Sequence, residues 1–203
     1  MFDSAGAGKM DELEPVLRTF VKAMSTLDIP YVVVGGFAIA GWGRYRATRD
    51  VEMIMQLKED GVAKLVKALR EAGFAIKAGD VRDALRHREH FSIFNASSIF
   101  HVDAKGVYGR KEARTLQSRI AVEVQDYEIP ISGLEDTIAN KLRFGREQDL
   151  EDALAIMVRN RAVLKSDLLE AICSDYGLLK ELRAVQRKAR AQEEREMAEA
   201  RQR

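Results

Sequence analysis

The stretch 32–52, V-V-V-G-G-F-A-I-A-G-W-G-R-Y-R-A-T-R-D-V-E, leaves few backbone paths open. An apolar strand runs into a Gly-Gly turn, a short apolar helix, a polar loop and then a second strand that opens on two carboxylates. A strand that passes straight into a helix needs glycine where the backbone takes positive φ. Strand alternation puts Asp50 and Glu52 on one face and Val51 on the other. A glycine turn lets backbone N–H groups approach phosphate oxygens, and two acids on one face can hold a divalent cation.

Length and composition set the frame around this segment. The 203 residues are 46% hydrophobic, enough for one domain with a helical annex or for two small domains. Such a chain buries a core without disulfides or a structural metal. Its single cysteine, Cys173, excludes an internal disulfide and points to a reducing compartment. Cys173 falls in L-L-E-A-I-C-S, a helical pattern in which the expected role is a packed thiol. The net charge of +1 argues neither for nor against nucleic acid. No apolar run reaches the length of a membrane span. The first residues lack the basic start and apolar core of a signal peptide, so a cytoplasmic location is expected.

Periodicity supplies the rest of the outline. Helices are predicted over 10–27, 37–42 and 60–72, with Pro15 in the first turn of the first. Strands are predicted over 31–34, 50–56 and 74–77. Two hairpins follow, 91–94 with 99–104 around N-A-S-S, and 120–124 with 127–131 around Q-D. From 134 onward all segments read as helix: 134–144, 149–158, 166–173 and 178 to the end. The expected class is α/β (α+β), with a small mixed sheet flanked by helices and then a helical C-terminal section. A boundary near Ser132-Gly133 divides residues 1–132 from 133–203. The last twenty residues are strong helix formers with little apolar face. They read as a solvated helix or as one that binds a partner or a second copy. The fragment G-A-G-K at 6–9 lacks the spaced glycines of a phosphate loop and is set aside.

A third acid joins the first two. In I-F-H-V-D-A, Phe100 and Val102 take one side of the strand, and His101 and Asp103 the other. If that strand neighbours the one bearing Asp50 and Glu52, three carboxylates converge, and oxygen donors of this kind select Mg²⁺ or Mn²⁺. The alternative is three ordinary solvent-facing acids, although acids are disfavoured in strands. His87, His90 and His101 read as surface or hairpin-edge residues, Trp42 as core, and Tyr45 as a ring bordering the loop.

The Gly-Gly turn, a thirteen-residue gap and D-V-E, with R-A-T-R leading into the acids, resemble the polymerase-beta type nucleotidyltransferase superfamily. The closest likeness is to its AbiEii-like and minimal members, which include lincosamide-modifying enzymes. A second block, I-S-G-L-E-D-T-I-A-N-K-L-R-F-G-R-E-Q-D-L-E-D, resembles a downstream segment of the same superfamily. The resemblance spans residues 30–158 and departs at Glu52, where many members carry aspartate.

The resemblance implies the nucleotidyltransferase fold, with Asp50, Glu52 and Asp103 as catalytic metal ligands for Mg²⁺ or Mn²⁺. It assigns Gly35, Gly36 and Lys141 to the triphosphate of an NTP such as ATP. Arg46, Thr48 and Arg49 would orient the loop and contact phosphate or acceptor. Asp149 and Asp152 would be accessory acids, with an N-cap role for Asp149 as the alternative. The implied reaction moves a nucleoside monophosphate from an NTP to an acceptor such as tRNA or a small molecule. A toxin opposed by an antitoxin, an antibiotic-modifying enzyme and a non-catalytic nucleotide-binding protein are the readings left open.

Overall fold

A computed structural model describes residues 4–45, 50–95, 98 and 100–201 of the chain. Two compact units divide it: Met1–Ala38 with Tyr45–Ser132, and Ile39–Arg44 with Gly133–Arg203. The fold class is mixed α/β, as the sequence implies.

The first unit holds a seven-stranded sheet among its described residues. In chain order its elements are α1 (Ser4–Ser25), β1 (Tyr31–Val33), the start of α2 (Gly35–Gly41), β2 (Asp50–Met55) and α3 (Val62–Glu71). Then come β3 (Phe74–Ala75), α4 (Ala78–His87), β4 (His90–Asn95), β5 (His101–Gly106), α5 (Arg110–Gln117), β6 (Ile120–Val124) and β7 (Tyr127–Ile131). The strand order is β3-β4-β5-β2-β1-β7-β6. Strand β2 runs antiparallel to β1 and parallel to β5, and β1 runs parallel to β7.

Alternation sorts the two faces of this sheet. Val51, Met53 and Met55 of β2 are all buried, and their face is shared by Val33, Val102 and Ile93 through the strand pairing. Phe20 of α1 is fully buried and meets Tyr31 and Phe74 edge-on at ring-centroid separations of 6.5 and 5.6 Å. Such aromatic contacts add about 0.5–1.5 kcal/mol each beyond area burial. The opposite face changes character along its length. At one end Ile54 and Val32 pack under Leu116 of α5. At the other end, where β2 begins, it carries Asp50 and Glu52.

Two local expectations need correction. The first helix starts well before residue 10, so Pro15 lies inside it rather than in its first turn. Helices α4 and α5 were not foreseen; each is short, and only Val81 and Ala84 in α4 and Thr115 and Leu116 in α5 are buried. Two buried positions in each give a helical period little to register against. The N-A-S-S hairpin does join paired strands, with Ile93 opposite Val102 and Phe94 opposite His101, but Ala96, Ser97 and Ile99 lie outside the described residues.

The second unit is helical: α6 (Leu134–Phe144), α7 (Glu147–Arg159), α8 (Ser166–Tyr176), α9 (Leu179–Arg201) and residues 39–44 at the end of α2. Its core includes Ile39, Ile138, Leu142, Ile156, Ile172, Leu182 and Val185, with Trp42 packed against it. The long last helix has a fuller apolar face than its sequence suggests, because Leu182, Val185 and Ala189 are buried at helical spacing. Beyond them it is mostly exposed. Cys173 is fully buried, and loss of hydration pushes its thiol up to about 11. Only the thiolate reacts, so at pH 8 a disulfide-exchange probe should modify Cys173 at the rate of unfolding, and instantly in denaturant. Rapid labelling of the native chain would contradict this packing. Among the described residues, no helix is long and apolar enough to cross a membrane.

Candidate active site

The candidate site forms where β1 ends and β2 and β5 begin. Because β2 and β5 are parallel neighbours, Asp50 stands opposite His101 and Glu52 opposite Asp103. Partners across a ladder share a face, so the three expected acids are on one side of the sheet. One ligand atom each from Asp50, His101 and Asp103 lie within 4.8 Å of one another. All three residues are half-buried. The next strand supports the group from behind: Ser92 Oγ donates to Asp103 Oδ1 at 2.5 Å, and the Phe94 ring stacks on His101 at 5.4 Å. His101 Nε2 lies 3.3 Å from Asp103 Oδ2.

Glu52 takes a different direction. Its extra methylene carries the carboxylate to the glycine turn, outside the group formed by Asp50, His101 and Asp103. Gly35 has φ +64°, and a Cβ there would lie 1.6 Å from Glu52 Oε2. The Val34 N–H donates to the Glu52 carbonyl at 2.8 Å, which locks the turn to the start of β2. Glycine is therefore required at 35 on two grounds, backbone conformation and space. Gly35→Ala should cost about 1–3 kcal/mol in denaturant unfolding. Adding Glu52→Ala should return the steric part and leave about 1–2 kcal/mol of backbone strain. Equal stability of Gly35→Ala and the parent would contradict this close approach. Gly36 follows as the second residue of α2.

Arg46, Thr48 and Arg49 lie outside the described residues. Lys141, Asp149 and Asp152 belong to the second unit, where they meet each other. Lys141 Nζ is 2.7 Å from Asp149 Oδ1 and 3.2 Å from Asp152 Oδ2, and the lysine is only 6% exposed. Arg44 reaches Asp152 Oδ1 through Nε at 2.8 Å, and the Glu151 carbonyl through Nη1 at 3.0 Å. Asn160 Nδ2 donates to the Trp42 carbonyl at 2.9 Å. The acids expected to be accessory thus clamp residues 39–44 onto α6 and α7, and Lys141 is engaged in the same clamp.

Asp149 is not an N-cap. Helix α7 begins at Glu147 after Arg146, which places Asp149 inside the first turn. Burial pushes its carboxyl up, but donation from Lys141 and Arg146 outweighs this and holds it below the ordinary value of 3.8. Sequence reading did not single out Arg44, and it placed His101 at the surface or a hairpin edge. His101 had a signal, since it shares the side of its strand with Asp103.

No protein-family model and no curated protein matches the sequence. Solved structures do match in fold. An antigenic nucleotidyltransferase-like protein from Paracoccidioides brasiliensis is 15% identical over 89% of this chain and 93% of its own, with a TM-score of 0.56. The antibiotic-resistance factor ANT(2″)-Ia, in complex with adenylyl-2″-tobramycin, is 12% identical over 80% of this chain and 95% of its own, with a TM-score of 0.53. A candidate nucleotidyltransferase from Thermotoga maritima is 19% identical over 70% and 89%, with a TM-score of 0.52. The chain has the fold of the nucleotidyltransferase superfamily.

Proposed function

We propose that this protein is a divalent-metal-dependent nucleotidyltransferase. The observation that carries this reading is the convergence of Asp50 and Asp103 on one sheet face beside the glycine turn. Two carboxylates and an imidazole with ligand atoms this close fit a divalent cation by donor type and spacing. Asp50, Asp103 and His101 would hold it, with Glu52 joining if its carboxylate swings back from Gly35. The cation, Mg²⁺ or Mn²⁺, would supply charge neutralisation at the phosphates and lower the pKa of an acceptor hydroxyl.

In the reaction, an acceptor oxygen forms a bond to the α-phosphorus of an NTP as the bond from that phosphorus to the β-bridging oxygen breaks. Pyrophosphate departs with the electron pair, and the acceptor proton leaves toward the Asp103 side. Gly35 and Gly36 offer backbone N–H groups to the triphosphate. Arg46, Thr48 and Arg49 are assigned to phosphate or acceptor contact. Most of the acceleration would come from positioning and charge stabilisation. The fold likeness to ANT(2″)-Ia favours a small-molecule hydroxyl as acceptor. An acceptor RNA, as in a toxin opposed by an antitoxin, is the competing assignment.

The test is incubation with each of four α-labelled NTPs, Mg²⁺ or Mn²⁺, and either total RNA or a small-molecule extract. The expected result is label in the low-molecular-mass fraction with matching pyrophosphate release, absent in Asp50→Ala. Label in RNA would reassign the acceptor. A second reading draws on the position of Glu52 against Gly35. It makes the chain a nucleotide-binding protein without turnover, and metal-dependent NTP binding with no pyrophosphate release would favour it.

A further inference from the structure

We infer that His101 is an inner ligand of the divalent cation, and that its nitrogen shifts the site's choice from Mg²⁺ toward Mn²⁺. This inference rests on the metal reading of the β2–β5 face. Three observations lead to it. His101 sits opposite Asp50 in the parallel ladder and two residues before Asp103, so all three share a face. Its Nε2 is 3.3 Å from Asp103 Oδ2, near the roughly 3.0 Å that separates adjacent ligand atoms around an octahedral ion at about 2.1 Å. Its ring lies at 26° to the stacked Phe94 ring, which restricts rotation out of the group.

Metal chemistry then gives the consequence. Magnesium is a hard ion that prefers oxygen and keeps its water. Imidazole gains more from ions later in the divalent series. A site of three acids is close to indifferent between Mg²⁺ and Mn²⁺. Replacing one oxygen donor by a nitrogen tilts it to Mn²⁺. Glu52, the acid expected to be the other β2 ligand, points to Gly35, outside the group whose third donor atom His101 supplies.

Mn²⁺ bound to the intact chain, read by electron spin echo envelope modulation, tests this directly. The chain has three histidines, His87, His90 and His101. The expected spectrum shows a ¹⁴N coupling that becomes a ¹⁵N coupling when only the histidines are ¹⁵N-labelled, a change that leaves the protein chemically intact. His101→Gln should remove the coupling, while His87→Gln and His90→Gln keep it. In titrations, the preference for Mn²⁺ over Mg²⁺ should fall about tenfold in His101→Gln. If Mn²⁺ binds and is lost in Asp50→Ala but shows no nitrogen coupling, His101 is not a ligand and the metal reading stands. If Mn²⁺ does not bind at millimolar concentration, both are overturned.

Discussion

Asp50→Ala is expected to lower NTP-dependent transfer by about 10³-fold or more, with the fold left in place. The carboxylate stands at the start of β2, half-buried, where it shares the site's face with His101 and Asp103. On the proposed reading, removing it takes away a metal ligand and a negative charge that would face the cation. The core beneath is built by Val51 and Met53 on the other face, which the substitution does not touch. Unfolding free energy should therefore change by no more than about 1 kcal/mol. Pyrophosphate release with near-parent turnover in this variant would remove Asp50 from the chemistry. Asp103→Asn should act in the same direction, because it keeps the Ser92 contact and loses the charge.

The second large effect lies in the helical unit. Asp152 is fully buried and lies between Arg44 Nε at 2.8 Å and Lys141 Nζ at 3.2 Å. Asp152→Ala removes one partner from each of two cations and leaves Lys141 with Asp149 and Arg44 with Glu151. A buried charge left wholly uncompensated costs about 3–5 kcal/mol, so the expected loss here is toward the low end, about 3 kcal/mol. Trp42, the sole tryptophan, packs against the core of the same unit, so its fluorescence reports this unfolding. A midpoint unchanged within about 1 kcal/mol would mean that the cluster is not closed.

The same cluster sets an acid limit. Asp149 has its folded-state pKa below 3.8, so the unfolded chain binds its proton more readily. Its contribution to stability is complete above about pH 4 and is lost as pH falls through the lower folded value. The Asp149 share of native-state stability, followed by Trp42, should be lost as pH falls below about 4, and Asp149→Asn should remove that share of the decline.

These residues also show where sequence reading succeeds and fails. The glycine turn and the two acids two apart were legible because strand parity is local: Val51 at 1% exposure between two outward acids follows from the pleat alone. The hairpin placed Asp103 on a strand, and alternation gave its side. That β5 lies next to β2 is a parallel pairing across about fifty residues. No local pattern states it, and only the resemblance suggested it. The surroundings of Lys141 were not legible, since a helix of ordinary periodicity cannot reveal that Asp149 and Asp152, one turn apart on the next helix, contact it. Arg44 was passed over for the same reason, since its partner is more than a hundred residues away.

On the proposed reading, β2 and β5 together hold a divalent ion beside the glycine turn. The most direct measurement is anomalous diffraction from crystals soaked with MnCl₂ and a non-hydrolysable NTP. The expected result is an anomalous peak within about 2.5 Å of carboxylate oxygens of both Asp50 and Asp103, and its disappearance in Asp50→Ala. A peak held by other residues, or none on this sheet face with nucleotide bound, would contradict it.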